Sequence, residues 1–246
     1  MCSSDLNMLR SVFKNDEIEF FCAEEDYGII PAPYAAKKNI PDWFKALPPK
    51  LGNKGFQTST VKRCMPFLDA LSVGYIIPLA ADVHFTVNAD LSGVDYKWNF
   101  PKPMIENHGM QQISSDKCPS PLIPRPPMKF MNYWMIKTPP EYSLLFMPPL
   151  NRIEPRFVCM SGLVDAPYYQ YEYVNFPFVF NKPNFTGIIE AGTPLVQVIP
   201  IRKDSLLQKS MVRQATEEDV KKTHWIRRIV NHVHESVYRN KIHRKM

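Results

Sequence analysis

Apolar positions along most of this chain alternate with polar ones. Over 82–88, Val83, Phe85 and Val87 alternate with His84, Thr86 and Asn88; over 94–100, Val94, Tyr96, Trp98 and Phe100 alternate with Asp95, Lys97 and Asn99. Two such stretches, parted by a short turn ending in Gly93, predict a β-hairpin whose strands each bury one face. Residues 17–22 read as an earlier strand. Later strands are expected at 128–137, 142–147, 156–160, 169–175, 178–180, 187–190 and 195–201. On a strand at 169–175, Tyr169, Tyr171 and Tyr173 would share a face, either as sheet packing or as a binding surface. A helical turn is expected around Pro41–Phe44, a polar loop at 50–60, and an irregular connection at 101–127, which holds seven prolines.

Only the C-terminal end changes period. Thr216 and Asp219 form a capping signal, and Ile226, Ile229, Val230, Val233 and Val237 follow at helical spacing. This predicts one amphipathic helix of about 25 residues. The expected organisation is an N-terminal arm (1–16), a mainly-β domain (17–205), and a linker with a basic helix (206–246). Short strands at this spacing argue for an antiparallel β-barrel or sandwich and against a parallel α/β sheet.

Composition sharpens this picture in two places. The 24 prolines against 9 glycines stiffen the loops and disfavour long helices within the domain. Charge is uneven: from Val220 onward there are eight Lys or Arg and one acid, so a chain of net +6 carries its excess in the tail. Arg239, Lys241, Arg244 and Lys245 are therefore candidates for nucleic-acid contact, although cations at a helix C-terminus also complement its dipole. The five cysteines are scattered, which suggests neither disulfides nor structural zinc. No signal peptide or membrane-spanning run is apparent, so a non-secreted protein without a membrane role is expected. Glycine-rich phosphate loops, nucleophile elbows and zinc-binding helices are absent. His232 and His234 lie on opposite sides of a helix, and no metal site is expected.

Two resemblances add to this reading. Ala32-Pro33-Tyr34, Pro41-Asp42-Trp43-Phe44, Lys62 through Asp69, Lys129-Phe130 with Asn132-Tyr133-Trp134, Thr138 through Ser143, and Asn175-Phe176-Pro177-Phe178 together resemble a family of tailed-bacteriophage (cyanophage-type) proteins that carries no assigned activity. This implies a phage accessory or virion-associated protein in the host cytoplasm or the virion, acting by binding a virion or host component.

The second resemblance is local. Gly162-Leu163-Val164-Asp165 with Tyr168, then Asn181, then Ile189, Gly192, Gln197 and Ile199, is similar to the middle of the dUTPase and dCTP deaminase superfamily. That likeness implies a dUTPase-like β-clip over 128–202 and a trimeric homo-oligomer. It implies Asp165 as the water-activating base, Tyr168 as the platform for the sugar, and Gln197 near the nucleotide. A carboxylate suits that task because it can take a proton from a positioned water. The superfamily's Arg-Ser-Ser phosphate segment has no counterpart; Asn151, Arg152 and Arg156 are the nearest substitutes. Its glycine-rich C-terminal arm is replaced by the basic helix. These departures favour binding without retained catalysis and no cofactor, with nucleotide hydrolysis assisted by Mg²⁺ as the alternative.

Overall fold

The computed structural model describes residues 17–53, 56–114 and 124–232. Sixteen strands run in order: β1 (Glu19–Phe21), β2 (Tyr34–Ala35), β3 (Lys50–Leu51), β4 (Thr58–Ser59), β5 (Tyr75–Pro78), β6 (Val83–Val87), β7 (Val94–Trp98), β8 (Ile105–Asn107), β9 (Met128–Phe130), β10 (Met135–Lys137), β11 (Tyr142–Met147), β12 (Phe157–Cys159), β13 (Gly162–Val164), β14 (Phe176–Phe180), β15 (Thr186–Ile189) and β16 (Pro194–Arg202). Four α-helices punctuate them: α1 (Asp42–Ala46), α2 (Met65–Ser72), α3 (Ala166–Tyr169) and α4 (Glu217–His232).

The strands build a five-stranded sheet in the order β13-β11-β16-β5-β2, a four-stranded sheet β12-β14-β9-β8, a three-stranded sheet β15-β6-β7, and the pairs β1-β10 and β3-β4. Every pairing among the described residues is antiparallel. None of these sheets closes on itself, so packed open sheets replace the barrel among the expected alternatives.

Their inner faces meet in one aromatic core. Phe130 and Phe178 stack at 3.8 Å between ring centroids, and Phe85 packs edge-on to Phe180 at 4.9 Å. Leu144, Val196, Val198 and Ile77 supply the aliphatic side from the five-stranded sheet. The alternation at 82–88 reports this arrangement directly: Val83, Phe85 and Val87 are buried, while Thr86 is exposed. β6 pairs with β7 in the expected hairpin, Val83 opposite Trp98 and Val87 opposite Val94.

Several expectations need correction. The stretch 128–137 is two strands in different sheets. Asn132 parts them: its side chain accepts from Trp134 N at 3.0 Å and donates to Trp134 O at 2.7 Å, bending the chain locally. The 101–127 connection contributes β8, which pairs with β9, and the 50–60 loop contains the β3-β4 hairpin. The strand expected at 169–175 is absent; α3 and a turn occupy 166–172. Asp165-Ala166-Pro167 opens this short helix, with Pro167 in its first turn, where the ring's fixed φ is favourable.

α2 escaped the sequence reading although Pro66 in its first turn marks its start. Gly74 follows at φ +69, and a Cβ there would lie 2.2 Å from Val198 O, so glycine is required where the chain turns from α2 into β5.

The capping signal at Thr216 forms as expected. Thr216 Oγ1 accepts from Asp219 N at 3.2 Å, and the Asp219 carboxylate accepts from Thr216 N at 2.8 Å. Arg213 joins it with an ion pair of 2.5 Å. Arg213 and the Thr216 donors together hold the Asp219 carboxyl well below the ordinary carboxylate range. A depressed folded-state pKa stabilises the cap above the ordinary carboxylate pKa and loses that contribution as pH falls toward the folded value. In far-UV circular dichroism of the full chain, Asp219→Asn is expected to lower helix signal at pH 7. The difference from wild type should shrink progressively below about pH 4, where the unfolded-state carboxylate would protonate.

Candidate functional site

The residues expected to hold a ligand divide into three groups. The first gathers at the C-terminal end of α2. A helix leaves its last carbonyls without intrahelical donors, so something must satisfy them when the end is buried. Gln197, fully buried on β16, donates Nε2 to Ala70 O at 3.0 Å and Val73 O at 2.6 Å, and its Oε1 accepts from Leu150 N at 2.8 Å. Asn151, in the left-handed region at φ +56, donates to Phe67 O at 3.3 Å.

Arg152 completes the cap. Its Nη2 approaches Leu71 O at 2.9 Å and Ala36 O and Asn39 O at 3.0 Å each. No carboxylate pairs with it among the described residues. Its countercharge is the negative end of the α2 dipole and the converging carbonyls. Burial lowers the guanidinium pKa from its ordinary value. Gln197, Asn151 and Arg152 are therefore brought together, as a nucleotide site would require, but around backbone oxygens.

Arg156 forms the second group. Glu154 chelates it through two bonds, Nε to Oε1 at 2.7 Å and Nη2 to Oε2 at 2.8 Å, while Nη1 reaches Ile188 O at 3.2 Å. Glu190 lies 3.5 Å from Nη1. Hydrogen bonding to Glu154 raises the Arg156 pKa. This arginine ties the approach to β12 to strand β15 and has its charge neutralised by Glu154.

Asp165 and Tyr168 make the third group. Asp165 occupies the N-cap position of α3, yet its side chain makes no capping bond. Lys203, just past β16, sets its Nζ 2.5 Å from Asp165 Oδ1. That contact is an ion pair without a directed hydrogen bond, since Oδ1 is covered and lacks a hydrogen-bonding partner. The Asp165 side chain as a whole is 43% exposed. Lys203 was not anticipated, because pairing across β11 of two segments so distant in sequence leaves no local pattern.

Tyr168 points its exposed ring away from the core beside Tyr169 and Tyr171. Leu163 on β13 is exposed as well, and the four side chains are each 52–69% exposed. Among the described residues β13 is an edge strand, paired with β11. Tyr171 packs edge-on to Phe21 at 6.2 Å, and Tyr173 packs against Tyr133 at 6.0 Å.

Burial pushes the Cys159 and Cys22 thiols upward in pKa, which disfavours their thiolates. No metal-binding cluster of three or more His, Cys, Asp or Glu occurs among the described residues. No helix there is long and apolar enough to cross a membrane. Arg239, Lys241, Arg244 and Lys245 lie outside the described residues.

Comparison with known proteins returns no matching family model and no matching curated protein. Among solved structures, the chain is similar to the dUTPase of Staphylococcus bacteriophage 80alpha, a point mutant with dUpNHpp. Identity is 11% and the TM-score 0.36, over 83% of this chain and 94% of that one. A likeness this distant assigns neither family nor activity. The class defined by the coordinates is a mainly-β protein of antiparallel sheets with few helices.

Proposed function

We propose that this chain acts by binding a partner protein at the edge formed by β13 and α3. The observation that carries this reading is the division of labour among the candidate residues. Gln197, Asn151 and Arg156 spend their hydrogen bonds inside the fold, and Arg152 does so through Nη2 alone, its buried Nε and Nη1 having no partner among the described residues. Leu163, on a strand edge unpaired among the described residues, and Tyr168, Tyr169 and Tyr171, on the helix and turn that follow it, are exposed. Tyrosines suit a protein interface because each offers a large rigid surface with a polar tip, and a free edge can accept a strand. The expected partner, following the phage-type sequence phrases, is a virion component or a host protein.

The test is quantitative capture by immobilised protein from host lysate and from phage particles. Replacing Tyr168 and Tyr171 together by serine, or Leu163 by lysine, is expected to weaken capture of the bound species about thirtyfold, the scale of interface hot spots. Asp165→Asn is expected to leave it unchanged. Equal capture by all variants would overturn the reading.

A second reading, a nucleotide-binding or hydrolysing enzyme of the dUTPase-like class, rests on one observation. Asp165 is a partly accessible carboxylate followed one turn later by the open ring of Tyr168. Under it Asp165 would activate water, Mg²⁺ would accompany the phosphates, and a trimer would be expected. Asp165→Asn would then lower dUTP turnover by several orders of magnitude.

A further inference from the structure

Residues 37–63 carry seven Lys or Arg and one acid, an excess equal to the net +6 of the whole chain. The fold draws most of this stretch into one unit. α1 is laid on α2 by the stacked rings of Phe44 and Phe67, 5.7 Å apart. The β3-β4 hairpin is tied back to the residues just after α1: Thr60 donates through N to Pro49 O at 3.1 Å and through Oγ1 to Pro48 O at 2.6 Å. Lys62 Nζ donates to Lys45 O and lies over the Phe44 ring.

Two kinds of exposed side chain meet on this unit. The first is lysine. Lys37 and Lys38, in the 3₁₀ turn Ala36–Lys38 that leads into α1, are exposed, as are Lys45 and Lys50. The one acid of the stretch, Asp42, pairs with Lys45 at 2.9 Å in full contact with solvent, and such surface pairs have little net strength. The second kind is aromatic. Trp43 is 49% exposed and packs edge-on with Phe44 at 5.6 Å and with Phe67 at 6.0 Å, so its indole is braced on one side and open on the other. Phe56, in the loop between β3 and β4, is 90% exposed.

We infer that this surface binds single-stranded nucleic acid without regard to sequence. Lysine ammoniums are point charges suited to tracking a phosphate backbone. A braced, half-open indole is a stacking platform, which an unpaired base of any kind can use and a base inside a duplex cannot. A lipid surface fits less well. The exposed groups flanking Phe56 are Asn53, Gln57, Thr58 and Ser59. Their amides and hydroxyls would lose water in a bilayer, whereas they can donate to phosphate oxygens. None of these residues belongs to the tyrosine edge or to the C-terminal tail, so the inference is independent of the partner-protein reading.

The test is fluorescence anisotropy of a labelled oligothymidylate titrated with the full-length protein, in parallel with the same strand in a duplex. The single strand is expected to bind at least tenfold more tightly than the duplex. Replacing Lys37, Lys38 and Lys50 together by glutamine removes only exposed side chains and leaves the fold intact. It should weaken binding at low salt at least tenfold and reduce the logarithmic salt slope by about 2, the value for three phosphate contacts on a single strand. Trp43→Ala should weaken binding about tenfold with the salt slope unchanged, which separates stacking from charge. Undiminished binding by the lysine variant, with loss on replacing Arg239, Lys241, Arg244 and Lys245, would put the contact in the tail and overturn the inference. Equal affinity for the duplex would overturn it as well, as would retention on phosphatidylserine vesicles without binding to the oligonucleotide, or no binding at all.

Discussion

Arg152→Met is expected to destabilise the protein by about 3 kcal/mol, the scale of two buried charge-assisted hydrogen bonds. Three carbonyl oxygens converge on one nitrogen of this side chain. Methionine would fill much of the same volume and leave Leu71 O and Ala36 O without donors, while Asn39 O, in a more open setting, would recover water. It would also remove the one positive charge at the end of α2. Arg152→Lys should cost only about 1–2 kcal/mol, because an ammonium presents its donors from a single atom as Nη2 does here. Urea denaturation reads both as shifts of the midpoint at constant slope. The sign is informative. Were Arg152 held in readiness for an anionic ligand, removing an unpaired, half-buried cation would leave stability unchanged or raise it.

Gln197→Leu is the second large effect, expected at about 4 kcal/mol. Leucine nearly matches the glutamine volume in a strand whose neighbours Leu195, Val196 and Val198 are buried and apolar. Packing is thus preserved, and the loss falls on hydrogen bonding alone. Ala70 O, Val73 O and Leu150 N would all lose their partner, each at about 1–3 kcal/mol with partial relaxation. Equilibrium unfolding measures the total. Hydrogen exchange at the amide of Leu150 would localise it, with protection expected to fall before that of the Phe85 and Phe178 strands. A Gln197→Leu protein as stable as wild type would show that the amide is not the clamp described here.

The same contacts explain which parts of the molecule were legible in the sequence. Strands with strong patterns announced themselves: β6 and β7 appear where alternation placed them, and β11, β14 and β16, buried over consecutive residues, where apolar runs did. Patterns failed where local chemistry overrides alternation. Asn132 breaks what reads as a single strand by bonding to backbone, and Pro167 at the first turn starts a helix just before the tyrosine alternation. That alternation followed no buried face, since Tyr169, Tyr171 and Tyr173 are all exposed. Periodicity implies a strand only when one of the two faces is covered.

The candidate site was legible in part. Sequence reading grouped Gln197, Asn151, Arg152, Arg156 and Tyr168; the fold gathers the first three and places Arg156 and Tyr168 elsewhere. It could not show their acceptors, because the acceptors are carbonyls of an unanticipated helix more than seventy residues away in sequence. A lone glutamine in an apolar strand satisfies the end of that helix by the same hydrogen-bonding capacity a nucleotide would have used. The dUTPase resemblance singled out Asp165 as a base; its ion pair with Lys203 spans two distant segments and has no trace in local spacing.

The central claim is that these polar residues hold the fold together and that recognition lies elsewhere, at the tyrosine edge. Thermal denaturation of the purified protein in the presence of dUTP, dCTP and the ribonucleotides, each with and without Mg²⁺, tests it most directly. A ligand at a hundredfold excess over its dissociation constant stabilises the native state by about 2.7 kcal/mol, which is readily seen as a rise in melting temperature. The account predicts no rise with any of these nucleotides. A selective rise with dUTP or dCTP that disappears in Asp165→Asn would contradict it and make Asp165 and Tyr168 the centre of a nucleotide site.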